Sequence, residues 1–170
     1  YNFLYLEREV IQMIKFLKIF EKNKCIVPIE YTSEDQKNYF RFVESQHENG
    51  LRQVIITSKL MLKIIENFFL QEFSIKKIIF DEDDLELEDE IKKILEKITE
   101  DRVYFFKLFN KLECISNNSS INLQRIEMSG KFKTVYSSFL LQVNGILKID
   151  GDVNLSNNIC KIIQENINEN

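Results

Sequence analysis

The run Asp81-Glu82-Asp83-Asp84 is the densest set of chemically capable side chains in this sequence. Hard divalent cations want clustered carboxylates, so the run raises a nuclease or metal-site reading. Such sites draw their acids from separate elements around a cavity. Four acids in succession, ahead of an apolar periodic segment, read instead as the solvated start of a helix, where negative charge favours the helix dipole. His47 is the single histidine and stands in a polar tract without a second ligand nearby, so it reads as a surface residue. Cys25, Cys114 and Cys160 lie far apart and form no CxxC pattern. A sparse, odd set of thiols suits a reducing compartment such as nucleus or cytosol. Sequons starting at Asn117, Asn118 and Asn154 are expected by chance in an asparagine-rich chain. No histidine–nucleophile pairing, phosphate loop or dinucleotide fingerprint is present, so no enzyme, metal or cofactor is expected.

Nucleic-acid chemistry is the second possibility. The net charge is -4, and it is uneven: residues 1–80 sum to +2 and residues 81–170 to -6. Phosphate backbones repel an acidic surface, so the C-terminal half is a poor unaided DNA binder. The basic residues that could meet nucleic acid or a partner are Lys76, Lys77, Lys131, Lys133 and Lys148. Lys15, Lys18, Lys22 and Lys24 form a further group near the N-terminus, and Tyr31, Tyr39, Phe40 and Phe42 could stack on bases or on a partner.

The elements that would position these groups follow from composition and periodicity. Four glycines and one proline in 170 residues argue for a mainly helical chain, and 44% hydrophobic residues suffice for a core. No apolar run approaches the length of a membrane span. The chain opens on Tyr1, so it is expected to be a fragment of a longer protein. Residues 3–22 carry a helical stripe of Leu6, Val10, Met13, Ile14, Leu17 and Phe20. A short edge strand is expected at 25–31, where Pro28 cannot donate to a ladder. Helices are expected at 33–47, capped by Ser33, and at 59–73, capped by Thr57 or Ser58. A strand at 74–81, helices at 85–99 and 101–114, and a loop at 116–120 come next. A short helix at 121–128 and a longer one at 131–143 follow. The stretch 144–158 then reads as two short strands around Asp150-Gly151, with Asp152 completing the turn, ahead of a last helix.

Helices followed by a hairpin, in that order, predict two winged-helix units in tandem, a mainly α fold with small β-hairpins (α+β). The first would span 1–82 with an insertion near 33–50. The second would span 83–170 and begin with a linking helix. The wing tip Asp150-Gly151-Asp152 is acidic, which points it at a protein rather than at phosphate.

The stretch "TSKLMLKIIENFFLQEFSIKKIIFDEDDLELEDEIKKILEKI", 57–98, resembles the corresponding part of a known family in the order and spacing of its helix start, β-like run and charged helix. That family is the C-terminal tandem winged-helix domain of the middle, replication-protein-A-like subunit of the CST telomere complex and its telomerase-associated counterpart. The resemblance implies a nuclear protein at the chromosome telomere. It implies a docking module for OB-fold subunits, telomerase or polymerase α–primase, with an N-terminal part outside this chain handling single-stranded telomeric DNA. Two other readings are a winged-helix regulator that binds duplex DNA and an all-α adaptor in which 146–155 is an irregular loop.

Overall fold

The computed structural model describes residues 13–118 and 120–167. Among them the strands are β1 (Met13–Lys22), β2 (Cys25–Glu30), β3 (Arg52–Gln53), β4 (Ser74–Phe80), β5 (Leu123–Phe132), β6 (Val135–Gln142) and β7 (Ile146–Gly151). The helices are α1 (Ser33–Lys37), α2 (Tyr39–Glu48), α3 (Ser58–Leu70), α4 (Leu85–Glu100), α5 (Phe105–Asn118) and α6 (Leu155–Asn166), with a 3-10 turn at Arg102–Tyr104. The strands form one antiparallel sheet in the order β2-β1-β7-β6-β5-β4, and β3 adds to β1.

This overturns the mainly α fold and the two winged-helix units. The sheet takes strands from both sides of the expected boundary at 82/83, because β1 pairs with β7 and β4 with β5. One apolar cluster joins Leu17 and Ile65 to Ile126 and Ile163.

The stripe expected to be helical within 3–22 is strand β1 from residue 13 onward; residues 3–12 lie outside the described residues. Leu17 and Ile19 face the main core while Phe20 faces a second cluster, so both faces are apolar, as in an interior strand. The six apolar residues of Met13–Lys22 fall at spacings that fit a helical and an extended period alike.

The expected helices at 121–128 and 131–143 are strands β5 and β6. Lys133, with φ 55, turns the chain between them. That turn lacks glycine and so lacks the usual signal.

The wing is absent. Asp150 and Gly151 end strand β7, where Asp150 pairs with both Ile14 and Ser138. The chain turns instead at Asn144-Gly145, with Gly145 at φ +80, so the hairpin signal was one turn earlier.

Other expectations hold in part. The edge strand at 25–31 is β2, with Pro28 on the sheet's rim. The helix at 33–47 breaks at Asn38 and is capped by Thr32, one residue before Ser33. The helix at 59–73, the strand at 74–81 and the helix at 85–99 stand as α3, β4 and α4, the first capped by Thr57. Instead of a loop at 116–120, α5 runs to Asn118.

Helices α3 and α6 pack on one sheet face, and α5 rests on α3 and α4. Phe68 of α3 is fully buried, with Phe73 and Phe139 rings 5.0 and 4.9 Å away. At the other end, α2 folds over the opposite face and seals Phe20, Tyr31, Phe42 and Leu51. No helix among the described residues is long and apolar enough to cross a membrane.

Two glycines allow close approach. A Cβ on Gly130 would lie 2.8 Å from the Phe73 ring and 2.9 Å from its Cα. A Cβ on Gly151, which sits at φ +122, would lie 2.4 Å from Ser137 Oγ and 2.8 Å from Ser137 Cα. Gly130→Ala should therefore cost about 1–3 kcal/mol by overpacking. Gly151→Val should cost more, since backbone strain adds to the clash. Urea unfolding of both variants checks the order; a Gly151→Val protein as stable as the parent would contradict this packing.

Candidate functional site

The helices leave one face of the sheet uncovered along β5, β6, β7 and the start of β1. Strand alternation decides what that face shows. The register aligns Ser129 with Ser138, Ser138 with Asp150, and Asp150 with Ile14. The next row aligns Glu127, Leu140, Lys148 and Phe16. A groove of about 380 Å³ lies over these rows, lined among others by Lys76, Glu127, Tyr136, Leu140, Lys148 and Asp150. Tyr136 is 59% exposed and its hydroxyl donates to Ser129 Oγ at 3.0 Å. Lys148 Nζ stands 5.7 Å from the Phe16 ring centroid. Ile14, Phe16 and Tyr136 are exposed, and Leu140 is half-buried, so the floor is partly apolar with charges of both signs above it.

The sequence-selected residues divide accordingly. Lys76, Lys148 and Asp150 line this groove. Lys131 is exposed and pairs with Tyr136 on the same face. Lys133 is exposed at the β5–β6 turn with its ammonium 5.6 Å from the Phe132 ring centroid. Lys77 is exposed beside Lys76 on the edge strand, where both line a second groove against α4. Gly151 is buried, and Asp152 leaves the sheet, its backbone N–H donating to Ser137 Oγ at 3.0 Å. Sequence reasoning missed Tyr136 and Leu140 because it read them on the inward stripe of a helix at 131–143, and it left Phe16 off the stripe named within 3–22. Extended alternation was the signal that would have turned them outward.

The other groups weighed for chemistry have structural duties. Asp84 caps α4, accepting from the Leu87 N–H at 3.0 Å. Asp81 accepts from the Asn122 N–H at 2.8 Å, and that bond holds its carboxyl below the ordinary value. Among the described residues no three His, Cys, Asp or Glu side chains are grouped to hold a metal ion. His47 is exposed on α2. Tyr31 and Phe42 are buried in the second cluster, while Phe40 is 87% exposed.

Lys18 departs most from the sequence reading. Grouped there with Lys15, Lys22 and Lys24, it is instead fully buried, whereas Lys22 and Lys24 are exposed. Its ammonium donates to the Asn144 carbonyl and lies 5.5 and 5.6 Å from the Phe20 and Tyr39 ring centroids. The carbonyl and the rings offset part of the cost of burying the charge. Burial still pushes its pKa down to about 8. Tyr39 donates in turn to Gln53 Oε1 at 3.0 Å, which ties α2 to β3 above the lysine. Compared with known proteins, the chain matches no family model, no curated protein and no solved structure.

Two outcomes are expected. The folded-state value of Lys18, about 8, lies below the ordinary 10.5, so the unfolded chain binds more protons in that interval. The charge penalty is complete below pH 8 and fades as pH rises towards 10.5. The stability of the parent relative to Lys18→Met should therefore rise by about 3 kcal/mol across that window, measured by denaturant unfolding at each pH. A flat difference would show that the buried amine does not titrate there. Cys160 is buried and its thiol is pushed up to about 12, whereas Cys25 and Cys114 are exposed. A thiol reagent should thus label Cys25 and Cys114 in the native protein and Cys160 only after unfolding.

Proposed function

We propose that this chain is a non-enzymatic docking module that holds a protein partner against the uncovered sheet face. The observation that carries this reading is the mixture on that face: Ile14, Phe16, Tyr136 and Leu140 beside Lys148, Asp150 and Glu127. Aromatic anchors within a polar rim are the usual make-up of a protein interface. A phosphate-binding surface would carry lysines without interleaved carboxylates. In the groove the Tyr136 hydroxyl donates to Ser129 Oγ rather than to a base that could activate it.

The duplex-DNA regulator loses its reading head, because 131–143 is a strand and a turn rather than a helix. The all-α adaptor is overturned by the sheet. A narrower proposal keeps the module in a telomere-maintenance complex in the nucleus, beside OB-fold subunits and polymerase α–primase or telomerase. Its support is the likeness over 57–98; the winged-helix architecture that went with that likeness is absent.

Tyr136→Ala and Lys148→Glu change exposed or half-exposed groups, so each should move stability by less than about 0.5–1 kcal/mol. Each should also lower capture of a partner from nuclear extract about tenfold or more, as removal of an interface anchor does. Equal capture by parent and variants would refute docking on this face. So would salt-sensitive binding of a single-stranded oligonucleotide that the same substitutions abolish. Recovery of an OB-fold pair or polymerase α–primase with the parent, lost with the variants, would support the narrower proposal.

A further inference from the structure

The two rims of the sheet are finished differently. On β2, Pro28 removes one donor, and α6 reaches across with Gln164. The Gln164 side chain accepts from the Ile26 N–H at 2.7 Å and donates to the Lys24 carbonyl at 2.9 Å, which occupies the backbone groups a further strand would need. On β4, among the described residues, β5 is the only paired neighbour. Helix α4 packs beside β4, and a groove of about 490 Å³ runs between Lys76, Lys77 and Ile79 on the strand and Ile91, Lys92 and Leu95 on the helix. A second groove of about 450 Å³ shares Lys76, Lys92 and Leu95 with it and extends it towards Arg102.

The occupant is identified by geometry and charge. An open strand rim beside an apolar wall accepts an extended peptide, whose backbone adds to the sheet and whose alternate side chains enter the groove. The two grooves bring together Lys76, Lys77, Lys92 and Arg102 against Glu88 and Glu96, a local surplus of positive charge on a chain of net charge -4. Among the described residues, Lys76, Lys77 and Lys92 take part in no ion pair. A second copy is disfavoured, because two β4 rims would bring lysine against lysine. The pairing is irregular between Ile75 and Lys77, so the regular rim is short, from Lys77 to Ile79.

We infer that the β4 rim and its α4 wall form a binding site for a short extended peptide with acidic residues beside alternating aliphatic ones. This surface shares Lys76 with the groove on the uncovered sheet face, but it is built on the β4 rim and α4 and excludes Tyr136. The test uses the whole chain and a fluorescein-labelled seven-residue peptide alternating valine and aspartate, read by anisotropy and by amide NMR shifts. Expected are saturable binding that weakens as salt rises, and shifts concentrated at residues 76–79. The exposed double variant Lys77→Glu/Lys92→Glu should keep the parent's melting temperature and weaken binding at least tenfold. Tyr136→Ala should bind the peptide as the parent does, which separates this site from the sheet face. No binding, equal binding by the double variant, or shifts centred on β6 and β7 would each overturn the inference.

Discussion

Strand β1 is paired on both sides, with β2 along one flank and β7 along the other. The register that sets Lys18 opposite Ile146 and Leu17 opposite Leu147 joins segments about 130 residues apart, and closing so long a loop is entropically costly. Both faces of the strand supply the return. Leu17 and Ile19 enter the main core below α3 and α6, and Phe20 enters the smaller cluster below α2. Without this insertion the N-terminal hairpin and the β5–β7 meander would be separate sheets, each with one unsupported rim. Two units in series would then be a reasonable description.

The same constraint arranges the surfaces. Because β1 and β7 sit inside the sheet, Phe16, Lys148 and Asp150 become neighbours although their separation in sequence gives no hint of it. Helix α2 covers the β1–β2 corner and stops there, so the uncovered area lies over β5, β6 and β7. Lys18 falls just beneath the covered corner and is sealed by Tyr39. Phe16, two residues earlier on the same strand, is exposed. A lysine expected in water is thereby buried, and an aromatic two residues away on the same strand is left exposed.

Legibility from sequence was uneven for physical reasons. Segments with one apolar stripe opposite a charged one were readable: α4 buries Leu87, Ile91 and Ile94 and holds its acids outward, and α3 is capped by Thr57, one of the two residues expected there. Pro28 on a rim followed from its missing donor. Segments apolar on both faces misled, because 13–22 and 131–143 contain helical and extended periods at once. The turns misled too. Lys133-Thr134 carries no glycine, and Asp150-Gly151 carries the favoured pair without turning the hairpin. Its glycine is needed instead because a Cβ there would lie 2.4 Å from Ser137 Oγ. The basic residues of the candidate surfaces were all visible, but their grouping was not. Lys76 and Lys148 meet over strands β4 to β7, while Lys131 and Lys133 go to the β5–β6 turn.

By itself the sequence determined the helices with segregated charge, the acidic cap ahead of α4, the proline-marked rim and the overall negative charge. Each of these depends on residues within a few positions of one another, where propensity, capping and charge act directly. Tertiary structure alone decided that 13–22 is a strand, that one sheet joins both halves, that Lys18 is buried and that Phe16 and Tyr136 are exposed. Those outcomes depend on which distant strand supplies the hydrogen bonds and which helix covers which face. That is a competition between whole-chain arrangements, and no short window of residues contains it.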